Sequence, residues 1–293
     1  MSINNFNVCS ICVLAFNRAE QLEITLAHLR AEFEGTDVGI VVLNNGSTDD
    51  TAGRLNSISK SWPELKTINS DVNLGCSKGR EVLWREAKAG YVLSIDEDIL
   101  VGRRDLEVMI ERMGSCGSAG LVSPLIEDSV SHKVLNPIKD NPENAKFFYE
   151  GCFLLNTELI EDVGYFDAEL LYAGEGLDYS IRLQKAGYRI LREPSVCVTH
   201  VDRIRESLDW SGRRLEWAYS FAYLYWKNYT PIVALFLSVK NLLAHYRSSV
   251  FRNGLVYGLK LTQSWLKGVR KGFRRRQEPN VSHAFSNDET KVL

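Results

Sequence analysis

Along the first 200 residues, short apolar runs alternate with stretches whose apolar positions recur at helical spacing, which predicts strands and helices laid down in turn. Val8 to Ala15 reads as a buried strand, and Leu22, Leu26 and Leu29 then mark one face of a helix. Gly39 to Leu43 is a second strand. It runs into Asn44-Asn-Gly-Ser-Thr-Asp-Asp-Thr51, a turn entering a helix with Ser47 or Thr48 as its cap and acids in its first turn. Leu65 to Ile68 is a third strand, Asn73 to Arg80 leads into a helix, and Tyr91 to Ile95 forms a strand that stops abruptly on Asp96-Glu97-Asp98. This order predicts an α/β fold, a mostly parallel sheet flanked by helices. Its polar clusters fall at the carboxyl ends of strands, where ligands sit in open α/β sheets.

Further on, Glu127 to Lys146 is polar, carries two prolines and reads as a long loop of the kind that serves function. Phe147 to Leu155 reads as extended, Asn156 to Val163 as a short helix, Gly174 to Ala186 as a loop entering a second helix, and Val196 to Thr199 as a last short strand ending on His200. After Glu206 the pattern becomes wholly helical. Trp217, Phe221, Leu224 and Tyr225 share one face, Thr230-Pro231 restarts the helix, and Ile232 to Val239 is apolar nearly all round. That run falls short of the roughly 20 residues needed to cross a bilayer. Leu255, Leu259 and Leu266 continue a helical face edged by Lys and Arg up to Arg274-Arg-Arg276, and the polar end reads as disordered. The expected division is therefore 1–205, 206–276 and 277–293.

Charge sharpens that division. The whole chain of 293 residues carries a net −2, yet Arg203 to Arg276 holds fifteen Lys and Arg against three Asp and Glu, a balance of +12 that leaves −14 for the rest. A hydrophobic fraction of 45% and a charged fraction of 25% exclude collagen, wholesale disorder and a polytopic membrane protein. Of six scattered cysteines, Cys9 and Cys12 form the only C-x-x-C, and inside an apolar run they read as buried small hydrophobes rather than as a redox pair, which implies a reducing compartment. The first residues lack the basic and apolar segments of a secretory signal.

The sharpest chemical feature is Asp96-x-Asp98 at a strand end. Two carboxylates so placed offer hard oxygen ligands that let Mg²⁺ or Mn²⁺ bridge to a diphosphate, although a solvated acidic turn has the same sequence. Its company matters more. Asn44-Asn-Gly-Ser-Thr-Asp49, Asn73-Leu-Gly-x4-Arg80, Asp96-Glu-Asp98, Gly164-Tyr-Phe-Asp167 and Gly174-Glu175-x-x-Asp178-x-x-x-Arg182-x-x-x-x-Gly187-Tyr188 follow one another in a single order. Across residues 8 to 205 this resembles glycosyltransferase family 2, on the GT-A fold, and within it the rhamnosyltransferase-like, surface-polysaccharide branch.

The resemblance implies roles residue by residue. Ala15, Asn17 and Arg18 match the opening strand and loop beside the nucleotide. Asn44, with Asn45 next to it, stands where the family usually has an aspartate on the base, and an amide can still pair there. Arg80 matches a basic position near the sugar nucleotide, with a surface salt bridge as the alternative. Asp96 is expected near the ribose and at the edge of the metal site, Asp98 on the metal, and His200 as the histidine completing that site, unless it is structural. The family's base is an aspartate after the glutamate of the acidic helix; here the pair is Glu175-Gly176, which leaves Glu175 first and Asp178 second. Glu150 is an acceptor-contact candidate or a capped strand edge, and Tyr172 and Trp210 are sugar-stacking candidates or core aromatics.

The implied activity is metal-dependent, inverting transfer of a sugar from a UDP- or dTDP-linked donor to a hydroxyl of a saccharide or lipid-linked saccharide. The basic helices then suit the anionic inner face of the membrane, for a cytoplasmic, peripheral enzyme, or else are an ordinary solvated face. No nucleic-acid-binding module accompanies them. Two rivals stay open: a phosphohydrolase using Asp96 as nucleophile, and a sugar-nucleotide-binding protein whose base was lost at Gly176.

Overall fold

The computed structural model describes residues 9–171, 173–201 and 210–277, the side chains of 210–213 and 247–255 excepted. The polar end predicted to be disordered lies beyond Gln277, outside the described residues. The chain divides into two compact units: Met1–Leu159 with Tyr165–Trp210, and Ile160–Gly164 with Ser211–Leu293.

The first unit is built on an eight-stranded sheet. Its strands are β1 (Cys9–Ala15), β2 (Gly39–Asn45), β3 (Leu65–Ser70), β4 (Tyr91–Asp96), β5 (Ile99–Leu100), β6 (Ala119–Asp128), β7 (Cys152–Asn156) and β8 (Arg189–His200), in the order β3-β2-β1-β4-β7-β6-β8-β5. From β3 to β4 the strands are parallel, so the loops after β1, β2, β3 and β4 all leave from one end. Then the sheet changes sense: β7 runs antiparallel to β4 and β6 to β7, whereas β8 runs parallel to β6. Every residue of β1 is buried, as its apolar run predicts for a central strand covered on both faces.

The helices of this unit are α1 (Ala19–Phe33), α2 (Thr51–Ser61), α3 (Gly75–Glu86), α4 (Arg103–Gly114) and α6 (Glu175–Lys185); α5 (Leu159–Val163) falls, but for Leu159, in the second unit. Leu22, Leu26 and Leu29 of α1 are buried in the same core as Ile11, Val13, Val42, Leu93 and Ile95. Each such side chain contributes about 1.5–3 kcal/mol by leaving water. Cys9 and Cys12 are buried free thiols, and burial pushes Cys9 up to about 12, so they pack as hydrophobes.

The structure corrects several details. Neither Ser47 nor Thr48 caps α2, and α2 has no acid in its first turn. Ser47 Oγ instead accepts from the Asn17 amide at 3.0 Å, and the Thr48 amide donates to Asn17 Oδ1 at 2.7 Å, so the two residues tie the β1 and β2 loops together. Asp49 does the capping, for two helices at once: it accepts from the Thr51 amide at 3.1 Å and from the first amide of α1, on Ala19, at 3.1 Å. The last strand runs from Arg189 rather than Val196, because it first pairs with β6, shifts register between Pro124 and Leu125, and only then reaches β5. Ordered extension toward β7 starts at Cys152 rather than Phe147.

The second unit holds α7 (Trp210–Asn228) and α8 (Pro231–Gln277). Trp265 Nε1 donates to the Ser238 carbonyl at 3.2 Å, although a straight helix would set residues so far apart in sequence about 40 Å from one another. Tyr246 Oη and Thr262 Oγ1 likewise meet at 3.3 Å, so α8 folds back on itself between them. A Cβ at Gly268 or Gly272 would strike the carbonyl of Tyr219 or Tyr223, so glycine lets α7 and α8 approach backbone to backbone. Ile232, Leu235, Phe236 and Leu243 face outward on α8, as do Lys240, Lys267 and Lys271. Among the described residues no helix is long and apolar enough to cross a membrane.

Candidate active site

Several candidate residues of the first unit gather around the acidic turn that follows β4. β4 ends on Asp96, and the Asp96 amide bonds to the Gly151 carbonyl at 3.1 Å, which joins the acidic turn to the start of β7. The Val201 amide bonds to the Asp98 carbonyl at 2.7 Å, and Ile99 pairs with His200 across β5 and β8. This short ladder brings His200 Nε2 to 3.4 Å from Asp98 Oδ2.

Asp98 is buried, and its Oδ2 also receives Arg18 Nη1 at 2.5 Å. Its other oxygen, Oδ1, is buried with no hydrogen-bond partner. Arg18 Nε lies 3.7 Å from Glu97, whose carboxyl is held well above its usual range by burial and then by Asp98 and Asp96. Among the described residues, no three His, Cys, Asp or Glu side chains gather into a ready-made metal site. Asp98 and His200 are brought together, whereas Asp96, the other predicted ligand, is drawn to Arg80. One carboxylate with an oxygen to spare and one imidazole fit a divalent cation that takes its remaining ligands from a diphosphate.

Arg80 is the pivot beside this pair. It is 2% exposed, and its Nη2 reaches Asp96 Oδ1 at 2.6 Å and the Glu150 carbonyl at 3.0 Å, while its Nε has no partner. Burial opposes its charge, but Asp96, Cys76, Glu175 and Glu150 together keep it protonated. The salt bridge considered for it thus joins a buried guanidinium to a partly exposed carboxylate. Asp96 is raised to about 6, by its enclosure first and then by Asp98 and Glu150, against the pull of Arg80.

Beyond Arg80 lies a second group of carboxylates. Glu150 Oε1 accepts the Gly176 amide, in the first turn of α6, at 2.8 Å. Glu175 is buried, its Oε2 has no partner, and burial followed by the charge of Glu150 pushes it up to about 8. Asp178 is placed differently. It is fully buried and held by Arg182 Nε at 2.9 Å, and Arg182 in turn donates to the Tyr165 carbonyl at 2.8 Å, which makes it part of the packing under α6. That packing is aromatic: Trp84 of α3 meets Phe153 of β7, Phe166 and Tyr179 of α6 with ring centroids 6.0, 5.0 and 6.0 Å away.

The predicted nucleotide side is also assembled, though several of its residues turn inward. Asn44 donates to Asn69 Oδ1 at 2.9 Å and accepts from the Ser47 amide at 3.1 Å, so both ends of its amide serve the loop. Asn45 donates to Asn73 Oδ1 at 3.2 Å and accepts the Leu74 amide at 3.0 Å, joining the loops after β2 and β3. Ala15 is buried at the end of β1, and Asn17 holds a left-handed φ of 55° that turns the chain toward Arg18. Tyr172 lies outside the described residues, and Trp210 begins α7 with its side chain outside them. Sequence reasoning missed Glu97, whose apolar strand run and flanking aspartates were a visible signal, and Asp49, whose capping partners are distant in sequence.

Comparisons with known proteins bear on the fold and the family. Among solved structures, a mannosyltransferase from Pyrobaculum calidifontis in complex with GDP-Man and Mn²⁺ superposes with a TM-score of 0.61 at 17% identity, over 92% of this chain and 83% of that one. Staphylococcus aureus TarS 1–349 in complex with UDP-GlcNAc gives 0.61 at 15% identity, over 89% and 81%. Both carry the GT-A fold, which is the fold of this chain. The poly-β-1,6-N-acetyl-D-glucosamine synthase of Staphylococcus epidermidis is 24% identical over 200 residues, 63% of this chain and 48% of that protein, so the chain spans about half its length. The N-acetylglucosaminyl-diphospho-decaprenol L-rhamnosyltransferase of Mycobacterium tuberculosis is 23% identical over 237 residues, 66% of this chain and 76% of the other. The model of the family described as glycosyl transferase family 2 matches residues 10–164, more than half of the chain, and with the sheet end and acidic turn already described it follows that the protein is a glycosyltransferase of that family.

Proposed function

We propose that this glycosyltransferase carries out metal-dependent, inverting transfer from a nucleoside-diphosphate sugar, UDP- or dTDP-linked, to a hydroxyl of a saccharide or lipid-linked saccharide in surface polysaccharide synthesis. The observation that carries the reading is the meeting of Asp98 and His200 at the carboxyl end of the parallel strands, with one buried oxygen of Asp98 left over. Mg²⁺ or Mn²⁺ held by these two residues would supply neutralising charge for the departing diphosphate. Arg18, one-third exposed, is placed to orient oxygens of the donor by paired hydrogen bonds, while buried Arg80 holds Asp96 beside it. A carboxylate takes the proton of the acceptor hydroxyl as its oxygen attacks the anomeric carbon from the face opposite the leaving group. Of the two carboxylates expected for that role, Glu175 belongs to the cleft cluster and Asp178 to the packing under α6.

The helical unit supports a peripheral place at the inner face of the membrane. Ile232, Phe236 and Leu243 are 83%, 67% and 58% exposed along one side of α8, with exposed Lys and Arg toward its end. Such a surface gains by burying apolar area in the headgroup region and by its attraction to anionic lipid. Sedimentation with anionic vesicles tests this, and Phe236→Asp should release the protein; equal binding by that variant would refute the assignment.

The central test is a thermal-shift panel of UDP, dTDP, UDP-GlcNAc and GDP-Man, with and without Mn²⁺. A donor at one hundred times its Kd stabilises the folded chain by about 2.7 kcal/mol. Shifts that need both nucleotide and metal support the reading, and the lack of any metal-dependent shift overturns it.

A further inference from the structure

We infer that Glu150 is the general base of the transfer reaction, its carboxylate occupying the space that Gly176 leaves open at the start of α6. The inference rests on the glycosyltransfer reading above. A Cβ built at Gly176 would lie 2.7 Å from both Cδ and Cγ of Glu150 and closer still to Oε1. The Glu150 carboxylate thus stands where a side chain at position 176 would stand, fixed there by the Gly176 amide at 2.8 Å. It arrives from another element, the segment leading into β7, whose neighbouring Gly151 carbonyl is bonded to the Asp96 amide. Glu150 is therefore tied to the acidic turn on one side and to α6 on the other.

The other carboxylates of the cleft are unsuited to taking a proton from an acceptor. Asp98 is engaged by Arg18 and Asp96 by Arg80, and Asp178 is fully buried against Arg182. Glu175 is 5% exposed and is pushed up to about 8, so near neutrality it holds its own proton and faces Glu150 as a neutral acid. Glu150 retains open surface, and a base has to meet its substrate. In the step assigned to it, the acceptor hydroxyl gives its proton to the Glu150 carboxylate and the oxygen forms the new bond to the anomeric carbon. The bond from that carbon to the diphosphate oxygen breaks, and its electron pair leaves with the nucleoside diphosphate.

The geometry supplies a test that does not depend on altering Glu150 alone. Because the clashing atoms are the far end of a flexible side chain, Gly176→Ala should displace Glu150 without unfolding the protein. Glu150→Gln and Gly176→Ala are each expected to lower kcat by about 100-fold or more while the Mn²⁺-dependent thermal shift with UDP stays at the wild-type value. Moving the carboxylate, in the double variant Glu150→Ala with Gly176→Asp, should recover at least about tenfold over Glu150→Ala alone. Turnover is measured with UDP-GlcNAc, GDP-Man and dTDP-rhamnose as donors and a GlcNAc-diphospho-polyprenol as acceptor. An active wild type with Glu150→Gln within about threefold of it overturns the inference, as does a parallel loss of UDP binding and turnover. A wild type that neither binds nor transfers from any of these donors refutes the glycosyltransfer reading itself, and the inference falls with it.

Discussion

Two groups of carboxylates stand at the same end of the sheet, on either side of Arg80, and they manage their negative charge in different ways. Asp98 faces the Arg18 guanidinium at 2.5 Å and the His200 imidazole at 3.4 Å, and keeps a buried oxygen over. Glu150 and Glu175 share Arg80 as their neighbouring cation among the described residues, and one of the two rises to about 8. Neighbouring cations favour the ionised form of a carboxylate, whereas burial beside another carboxylate favours the protonated form. In the proposed reaction the first arrangement would serve the cation and the diphosphate, the second the proton.

The experiment with the largest expected effect acts on the first group. Asp98→Ala should lower transfer by about 1,000-fold, and wild type stripped of metal by a chelator should fall to the same level. Full activity of the variant under chelation would remove the distinction between the two groups. Next comes the residue they share. Arg80→Ala strands Asp96 and the Glu150 carbonyl, and a loss of about 3 kcal/mol in urea unfolding is expected, below the full value for a buried pair because Asp96 is 38% exposed. Loss within experimental error would show that Arg80 organises neither side.

The second group is tested by pH. Glu175 titrates at about 8 in the folded chain and near 4.5 when unfolded, so between those values the folded state binds the extra proton. Its contribution to stability is complete below about 4.5 and is lost as pH rises toward 8. Glu175→Gln should therefore gain at least about 1.4 kcal/mol relative to wild type at pH 8 compared with pH 5. A difference that does not change with pH would break the contrast. The smallest effect belongs outside both groups: Asp49→Ala removes the shared cap of α1 and α2 and should cost about 1 kcal/mol by denaturant titration. Asp49 lies below the usual carboxylate range because hydrogen bonds from Thr51 and Ala19 outweigh its burial, so this contribution fades as pH falls through that lowered value.

Much of this arrangement was legible in the sequence where a local pattern ends on chemistry. The apolar strand that stops on Asp96-Glu97-Asp98, and the final strand that stops on His200, announced both members of the pair that meet. Their meeting was implied by the family resemblance alone and not by any local pattern, because it depends on β5, two residues long and recognisable only by its pairing. β6 was missed for a related reason. Pro124 interrupts its pattern as if no central strand could pass, and the strand accommodates it by shifting register there. At the base, position 176 could be read as lacking a side chain, but what fills the space comes from 26 residues earlier. The nucleotide side shows the converse. Asn44 and Asn45 were legible as polar residues at a strand end, yet their amides turned out to hold loops together, a choice made by neighbours that no local spacing reveals.

The empty Cβ position of Gly176 also bears on how such a site can change over generations. Two of the glycine codons lie a single base from an aspartate codon, so one mutation can place a carboxylate on α6, where the atoms it meets belong to the Glu150 side chain and not to a backbone. The reverse mutation lets Glu150 return. A lineage that carries both residues can pass between the two arrangements in either direction in one step, with a folded protein at each end, and the ancestry of the residue in the cleft need not follow the ancestry of the helix beside it.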